Sequence, residues 1–362
     1  MKKFLFALIL LPMLFEFDSF SQENKFVNAF SEAETKGFSG LLLLAKNGEI
    51  IFEKATGFRS YENQVPLLPT DVFEMASVSK QFTAMMIMIC AEKGLLDYDD
   101  LVEKYLATPY PGITIRQLLT HTNGLPDYQA VMDQHWDKSR VADNAAILEY
   151  LQKYQPPMLA QPGEKYEYSN TGYVFLASIV EKVTGRDFIE LSREWIFQPL
   201  GMKDTDIRTL EEKAKVVNFA AGHLQDENGY YVNANKFHAS DYTVWLGNRK
   251  GPGRVSSTAR DLLLWDQALY TEKLVSRKTL EAAFSPTQLN DGSWSNYGFG
   301  WDIVLDSPYG KIVSHTGDNP GYRTIIIRLI DQNKTLIMLN NNAHDSKDEL
   351  IKKALEALGN WD

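Results

Sequence analysis

Leu41 to Leu44 form an unbroken apolar run between Gly40 and Ala45. Lys46-Asn47-Gly48 follows, and then Glu49 to Lys54, which carries Ile50, Ile51 and Phe52. Two such runs joined by an Asn-Gly turn predict a β-hairpin, so the chain beyond its N-terminal segment is expected to open with sheet. From Ser77 the period changes. Phe82, Met85, Met86, Ile89 and Cys90 recur at helical spacing, and Gly94 supplies a stop, which predicts a buried helix. Between residues 95 and 250 shorter helical segments are predicted at Thr114 to Leu119, Asn144 to Tyr154, Tyr173 to Thr184 and Phe188 to Ile196, separated by loops bearing Pro and Gly. Ser256-Ser257-Thr258 offers caps for a helix over Asp261 to Leu269. Strand patterns then return at Lys311 to His315, Thr324 to Leu329 and Thr335 to Leu339, with a turn including Asp331 to Lys334, and Asp345 to Leu358 reads as an amphipathic helix.

Sheet at both ends with helices between predicts an α+β fold, in which an antiparallel sheet flanked by helices carries an inserted, mostly helical lobe. The sheet lobe is expected at about residues 25–76 and 255–362, and the helical lobe at about 77–254. A ligand is expected in the cleft between them.

The first 21 residues read as an export signal: Lys2 and Lys3, then an apolar stretch from Phe4 to Phe15, then Ser19-Phe20-Ser21 before a cut near Gln22. That stretch is shorter than the roughly 20 residues a membrane helix needs. With no second candidate span, residues 22–362 are expected to work in the periplasm or outside the cell. The chain has 362 residues, 44% of them hydrophobic, so a sizeable core is available and wholesale disorder is excluded. A net charge of -10 is the wrong sign for a nucleic-acid binder. The single cysteine, Cys90, leaves no intrachain disulfide and no cysteine metal cluster.

The chain has no GxSxG, HExxH, GxxxxGK[ST] or GxGxxG sequence, and no two of its six histidines lie within five residues of each other. Neither a metal nor an organic cofactor is implied. Ser77-Val78-Ser79-Lys80 is present at the start of the buried helix, where residues three apart share a face and a hydroxyl can meet an amine. Serine needs a neighbouring base to become a nucleophile, and lysine serves only if burial or nearby cations lower its pKa. The plain alternative is a helix cap followed by a solvated lysine. Tyr168-Ser169-Asn170 is expected in a loop before the Tyr173 helix. A phenol beside a lysine ammonium would have its pKa depressed and could relay a proton, and the amide could serve substrate or Lys80. Tyr61-Glu62-Asn63 and Tyr231-Val232-Asn233 share that spacing. His315-Thr316-Gly317 is expected at a strand end, where glycine admits a ligand close to the backbone and Asp318 offers the next N–H.

Taken in this order, the three elements resemble those of the serine β-lactamase and penicillin-binding-protein superfamily. The chain is most similar to its class C β-lactamase-like branch, which includes D-alanyl-D-alanine carboxypeptidases, D-aminopeptidases and esterases. The likeness extends to Leu118-Leu119-Thr120-His121-Thr122-Asn123-Gly124-Leu125-Pro126-Asp127-Tyr128, to Pro162 through Tyr173, to Pro199-Leu200-Gly201-Met202 and to Val255 through Leu262. It implies Ser77 as acylated nucleophile, Lys80 and Tyr168 as the proton-handling pair, and Asn170 as partner of substrate and lysine. His315, Thr316, Gly317 and Asp318 would line the substrate, with the N–H groups of Ser77 and Asp318 as oxyanion hole. Leu118 to Tyr128 would be scaffold around the cleft. Many β-lactamases of this branch carry lysine where this chain has His315, which turns the expectation from antibiotic resistance toward peptide or ester hydrolysis, with binding sensitive to pH near neutrality.

The function expected is a secreted or periplasmic serine hydrolase acting through an acyl-enzyme on a small-molecule or peptide substrate, a D-amino-acid peptide, an ester or a β-lactam. The alternative is a catalytically silent binding or scaffold protein that keeps the fold. The segments Val131 to Ala142 and Leu210 to Lys250 are expected to shape the pocket. Trp136, Trp245 and Trp265 are expected to fill core rather than line it.

Overall fold

The computed structural model describes residues 10–361, with side chains from residue 23 onward. Of the export signal read over residues 1–21, the first nine lie outside the described residues, and for the rest only helical backbone is described. A helix, not sheet, comes first: α1 (Leu10–Thr35). Phe26, Ala29, Phe30 and Ala33 recur at helical spacing and are all buried, a stripe the sequence reading passed over. None of the helices in the described residues is long and apolar enough to cross a membrane.

The expected hairpin follows, as β1 (Gly40–Lys46) and β2 (Glu49–Thr56). Asn47 and Gly48 both have positive φ, 53° and 79°, the conformation a tight hairpin turn requires. Near the other end of the chain come β3 (Asp302–Ser307), β4 (Gly310–Asn319), β5 (Tyr322–Leu329) and β6 (Lys334–Asn340). All neighbours pair antiparallel in the order β3-β4-β5-β6-β1-β2, and β1 lies against β6 with Leu42 opposite Met338.

Burial explains the unbroken leucines of β1. Leu42 and Leu44 join Phe26 and Phe30 of α1 and residues of the C-terminal helix, whereas Leu41 and Leu43 face the main core on the opposite side. A sheet covered on both faces needs apolar residues at consecutive positions rather than alternation. Each buried leucine contributes about 2 kcal/mol, so a one-residue slip in register would disrupt both layers.

Four further helices matter here: α2 (Lys80–Glu92), α3 (Asn170–Thr184), α4 (Ala259–Ala268) and α5 (Ser346–Gly359). α1 and α5 cover one face of the sheet, while α4 and α2 lie in the core on the other. α3 starts three residues earlier than expected because Ser169 caps it, its Oγ accepting the Gly172 N–H at 3.1 Å. His315-Thr316-Gly317 lies within β4, not at its end. The strand runs on to Asn319, where Pro320-Gly321, with Gly321 at φ 78°, makes the turn into β5.

Candidate active site

Ser77 sits in a single 3-10 turn, Ala76–Ser79, that leads directly into α2. In such a turn side chains three apart eclipse, which sets Ser77 and Lys80 side by side. Ser77 therefore caps nothing, and Lys80 is completely buried rather than solvated. Lys80 Nζ lies 3.0 Å from Ser77 Oγ, 2.8 Å from Asn170 Oδ1 and 3.0 Å from the Pro252 carbonyl oxygen. Burial pushes the lysine pKa well below its ordinary value, and the nearby Arg249 cation pushes it further the same way. A neutral amine has two N–H bonds and one lone pair. Asn170 Oδ1 and the Pro252 carbonyl are acceptors that take the N–H bonds, which leaves the lone pair for the Ser77 hydroxyl proton.

The Tyr168 motif is brought to the same point by the start of α3, with Asn170 as the first helical residue rather than part of a loop. The Tyr168 ring covers Lys80 Nζ, with its centroid 4.7 Å away, and its hydroxyl is bonded to Ser77. Although the residue as a whole is 41% exposed, loss of water at its hydroxyl end raises its pKa, with the Ser77 hydrogen bond opposing. The expected depression depended on a charged ammonium, and desolvation removes that cation by favouring neutral Lys80. Tyr168 is thus a protonated phenol, a donor rather than a phenolate base.

Leu118 to Tyr128 holds this motif in place. His121, fully buried and at a left-handed φ of 56°, accepts the Ser169 N–H on Nδ1 at 3.0 Å, and its ring centroid lies 4.3 Å from that of Tyr168. Its carbonyl accepts the Glu167 N–H at 2.8 Å. Tyr173 Oη donates to the Leu119 carbonyl at 2.9 Å, and Thr171 Oγ1 to that of Pro126 at 2.6 Å.

The third element arrives on β4, whose pairing with β3 ends at Ser314 opposite Asp302. His315 to Asn319 thus have β5 on one side only, and the Met75 carbonyl and the Ala76 side chain approach Gly317. A Cβ at Gly317 would collide with Thr324 Oγ1 and the Met75 carbonyl oxygen, so the glycine makes room for this chain's own atoms. Thr316 and Asp318 are exposed. His315 is buried with both ring nitrogens engaged: Nδ1 donates to the Thr316 carbonyl at 2.6 Å, and Nε2 accepts from Tyr297 Oη at 2.8 Å. Burial lowers its pKa to about 3. The expected titration near neutrality is therefore corrected: the imidazole is neutral there.

A cavity of about 70 Å³ opens at Ser77, with Ala76, Asn170, Arg249 and Arg254 in its wall. A larger one, about 330 Å³, shares Glu74, Arg249, Arg254 and Asn319 with it. Much of the larger wall comes from the Leu210 to Lys250 segment, while Tyr128 and Gln129, just ahead of the Val131 to Ala142 segment, line the smaller. Trp245 and Trp265 belong to the main core, and Trp136 packs partly buried against it. The sequence reading missed Tyr297, Pro252, Arg249 and Arg254. Three of these lie in Arg249-Lys250-Gly251-Pro252-Gly253-Arg254, and that charged, glycine-rich stretch was the available signal.

Residues 26–360 match the protein family described as Beta-lactamase. The chain is 40% identical over 328 residues to Penicillin-binding protein 4* of Bacillus subtilis (strain 168), covering 89% of this chain and 72% of that one. It is 25% identical over 355 residues to a D-aminopeptidase of Gluconobacter oxydans (strain 621H), covering 94% of this chain and 63% of the relative, less than two thirds of its length. The crystal structure of a penicillin binding protein from Bacillus halodurans superimposes with a TM-score of 0.79 at 25% identity, over 92% of this chain and 98% of that one.

Proposed function

The chain belongs to the Beta-lactamase family and is a serine hydrolase, and from that premise we propose that it forms an acyl-enzyme at Ser77. Lys80 takes the Ser77 proton as Oγ attacks an amide or ester carbonyl carbon. The tetrahedral oxyanion lies against the N–H groups of Ser77 and Asp318. Tyr168, as a neutral phenol, passes a proton to the leaving nitrogen or oxygen as its bond to carbon breaks, and is reprotonated from Lys80. Water then attacks the ester on Ser77, releasing a carboxylic acid and restoring the hydroxyl. Asn170 orients the lysine and offers its amide to the substrate. His315 acts through β4 rather than by touching substrate, since both its nitrogens are engaged.

The observation that carries this reading is the buried Lys80 amine, 3.0 Å from Ser77 Oγ, with acceptors for its two other directions. The substrate class we infer is a D-amino-acid amide or peptide or a related ester, supported by the D-aminopeptidase likeness and by the absence of lysine at position 315. The Lys2-Lys3 and Phe4 to Phe15 pattern supports a site of action outside the cytoplasm. A fluorophosphonate probe should leave a covalent adduct on the peptide containing Ser77, and D-alanyl peptides and 4-nitrophenyl acetate should be hydrolysed. A folded sample that neither takes the label nor turns over any of these would overturn the proposal.

A further inference from the structure

Two guanidinium groups line the Ser77 cavity with donors unspent. Arg254 follows the Pro252-Gly253 pair and is only 6% exposed. Its Nη2 donates to the Arg208 carbonyl, while Nη1 is buried without a hydrogen-bond partner among the described residues. Arg249 Nε is in the same condition. The Arg254 backbone has φ 81°, a conformation glycine adopts freely and arginine does not. A buried cation on that backbone is costly to the fold, since an apolar side chain or a glycine would fill the position at lower cost.

Glu74 acts on Arg254 across the larger cavity, but the wall carries Lys213, Arg249 and Arg254 against that one carboxylate, an excess of positive charge. Glu74 and Lys213 form an ion pair with each other, and Asp318, on the smaller cavity, pairs with Arg323 Nη1 at 2.5 Å. The part of a substrate that lies here follows from the proposed mechanism. The leaving group must face Tyr168, which donates to it, and the cavity walls hold Asn170, Arg249, Arg254 and Asn319 instead of Tyr168. The acyl part then extends toward the arginines.

We propose that Arg249 and Arg254 form an anion subsite that grips a carboxylate on the acyl part of the substrate, so that the enzyme prefers an acidic acyl group to a neutral one of the same shape. This rests on the acyl-enzyme reading given above. Its test compares the 4-nitrophenyl esters of adipic acid, with one carboxylate free, and of adipamic acid, which replaces that carboxylate by an amide. The wild-type enzyme should favour the acid in kcat/KM by about tenfold or more, the scale of one charge-assisted hydrogen bond. Arg254→Gln should collapse the ratio toward one, and Arg254→Lys should keep part of it. Should the variants fail to fold, free adipate should protect wild-type Ser77 from a fluorophosphonate at concentrations where adipamide does not. A wild-type ratio of one or less, or labelling of Ser77 that adipate does not slow, overturns the subsite alone. Absence of labelling and of turnover overturns the acyl-enzyme reading and the subsite together.

Discussion

Tyr297 Oη donates to His315 Nε2 at 2.8 Å inside a fully enclosed pocket, and the other ring nitrogen of His315 is held by the Thr316 carbonyl. A histidine fixed in this way is a stability element whose sign with pH is determined. In the folded chain it protonates only near pH 3, whereas in the unfolded chain it titrates near its ordinary value of 6.5. Between those values the unfolded state binds the extra proton. The contribution is therefore fully present above about pH 6.5 and is lost as pH falls toward 3. At pH 5 the loss from this group amounts to about 2 kcal/mol. Urea midpoints at pH 7 and pH 5 should fall further apart in the wild type than in His315→Gln, which cannot titrate. Equal slopes in the two proteins would remove His315 as the cause. His121, likewise buried and pushed down, adds in the same direction and sets the slope that remains.

Lys80 separates a basic role from a structural one. Lys80→Ala should lower the acylation rate by about a thousandfold, and Lys80→Arg should do the same, because a guanidinium keeps its proton at any working pH. Lys80→Met should leave the melting temperature close to the wild-type value, since replacing a buried polar group by an apolar one of similar length removes a desolvation cost. The check is the pre-steady-state burst with 4-nitrophenyl acetate. A full burst rate in Lys80→Ala would remove Lys80 as the base.

Arg249 gives the same lysine a second handle. Burial is the larger cause of its lowered pKa, and the Arg249 cation adds to it. Only neutral Lys80 accepts the serine proton, so kcat/KM rises with pH through the lysine pKa. Removing a positive charge makes the ammonium less unfavourable and raises that pKa. Arg249→Gln should therefore move the rising limb to higher pH and lower activity at pH 7 more than at pH 9. A pH profile displaced in the other direction, or not displaced, would show that the arginine does not act on the lysine.

The legibility of the chain follows the range of each signal. The hairpin at Asn47-Gly48, the helix over Asn144–Tyr154 and the Ser77–Lys80 spacing are local patterns, and each was readable because its cause lies within a few residues. The pairing of Lys80 with Asn170 across ninety positions was reached only through resemblance, since nothing in either segment names the other. The helix at Leu10–Thr35 is harder to read, because the export-signal pattern over residues 1–21 covers its first half and the Phe26, Phe30 stripe fills only its second. The titration of His315 and Tyr168 was misread for a different reason. A pKa depends on how much water a fold removes, and burial overrode the charges that the sequence placed nearby. Gly317 belongs with them: a glycine announces a close approach, but the partners, Thr324 and Met75, are an outcome of topology.

Arg328 and Asp266 tie the sheet to α4 with neither side chain exposed to solvent. Asp266 Oδ1 accepts from Arg328 Nε, its Oδ2 accepts from Thr335 Oγ1 at 2.6 Å, and its carbonyl accepts from Arg328 Nη2 at 3.1 Å, so one aspartate binds β5 and β6 together. The guanidinium also lies over the rings of Tyr270, Phe284 and Trp301. Removing one partner strands a charge in a dry core, whereas replacing both by apolar groups leaves none. Arg328→Ala should therefore cost about 3–5 kcal/mol, and Asp266→Leu combined with Arg328→Met should recover most of that loss, a strongly non-additive pair. Denaturant melts of the two single variants and the double variant measure the coupling. If the losses simply add, the two groups are not acting as one buried unit, and the attachment of α4 to the sheet must then reside in the apolar contacts of Leu262 and Trp265 instead.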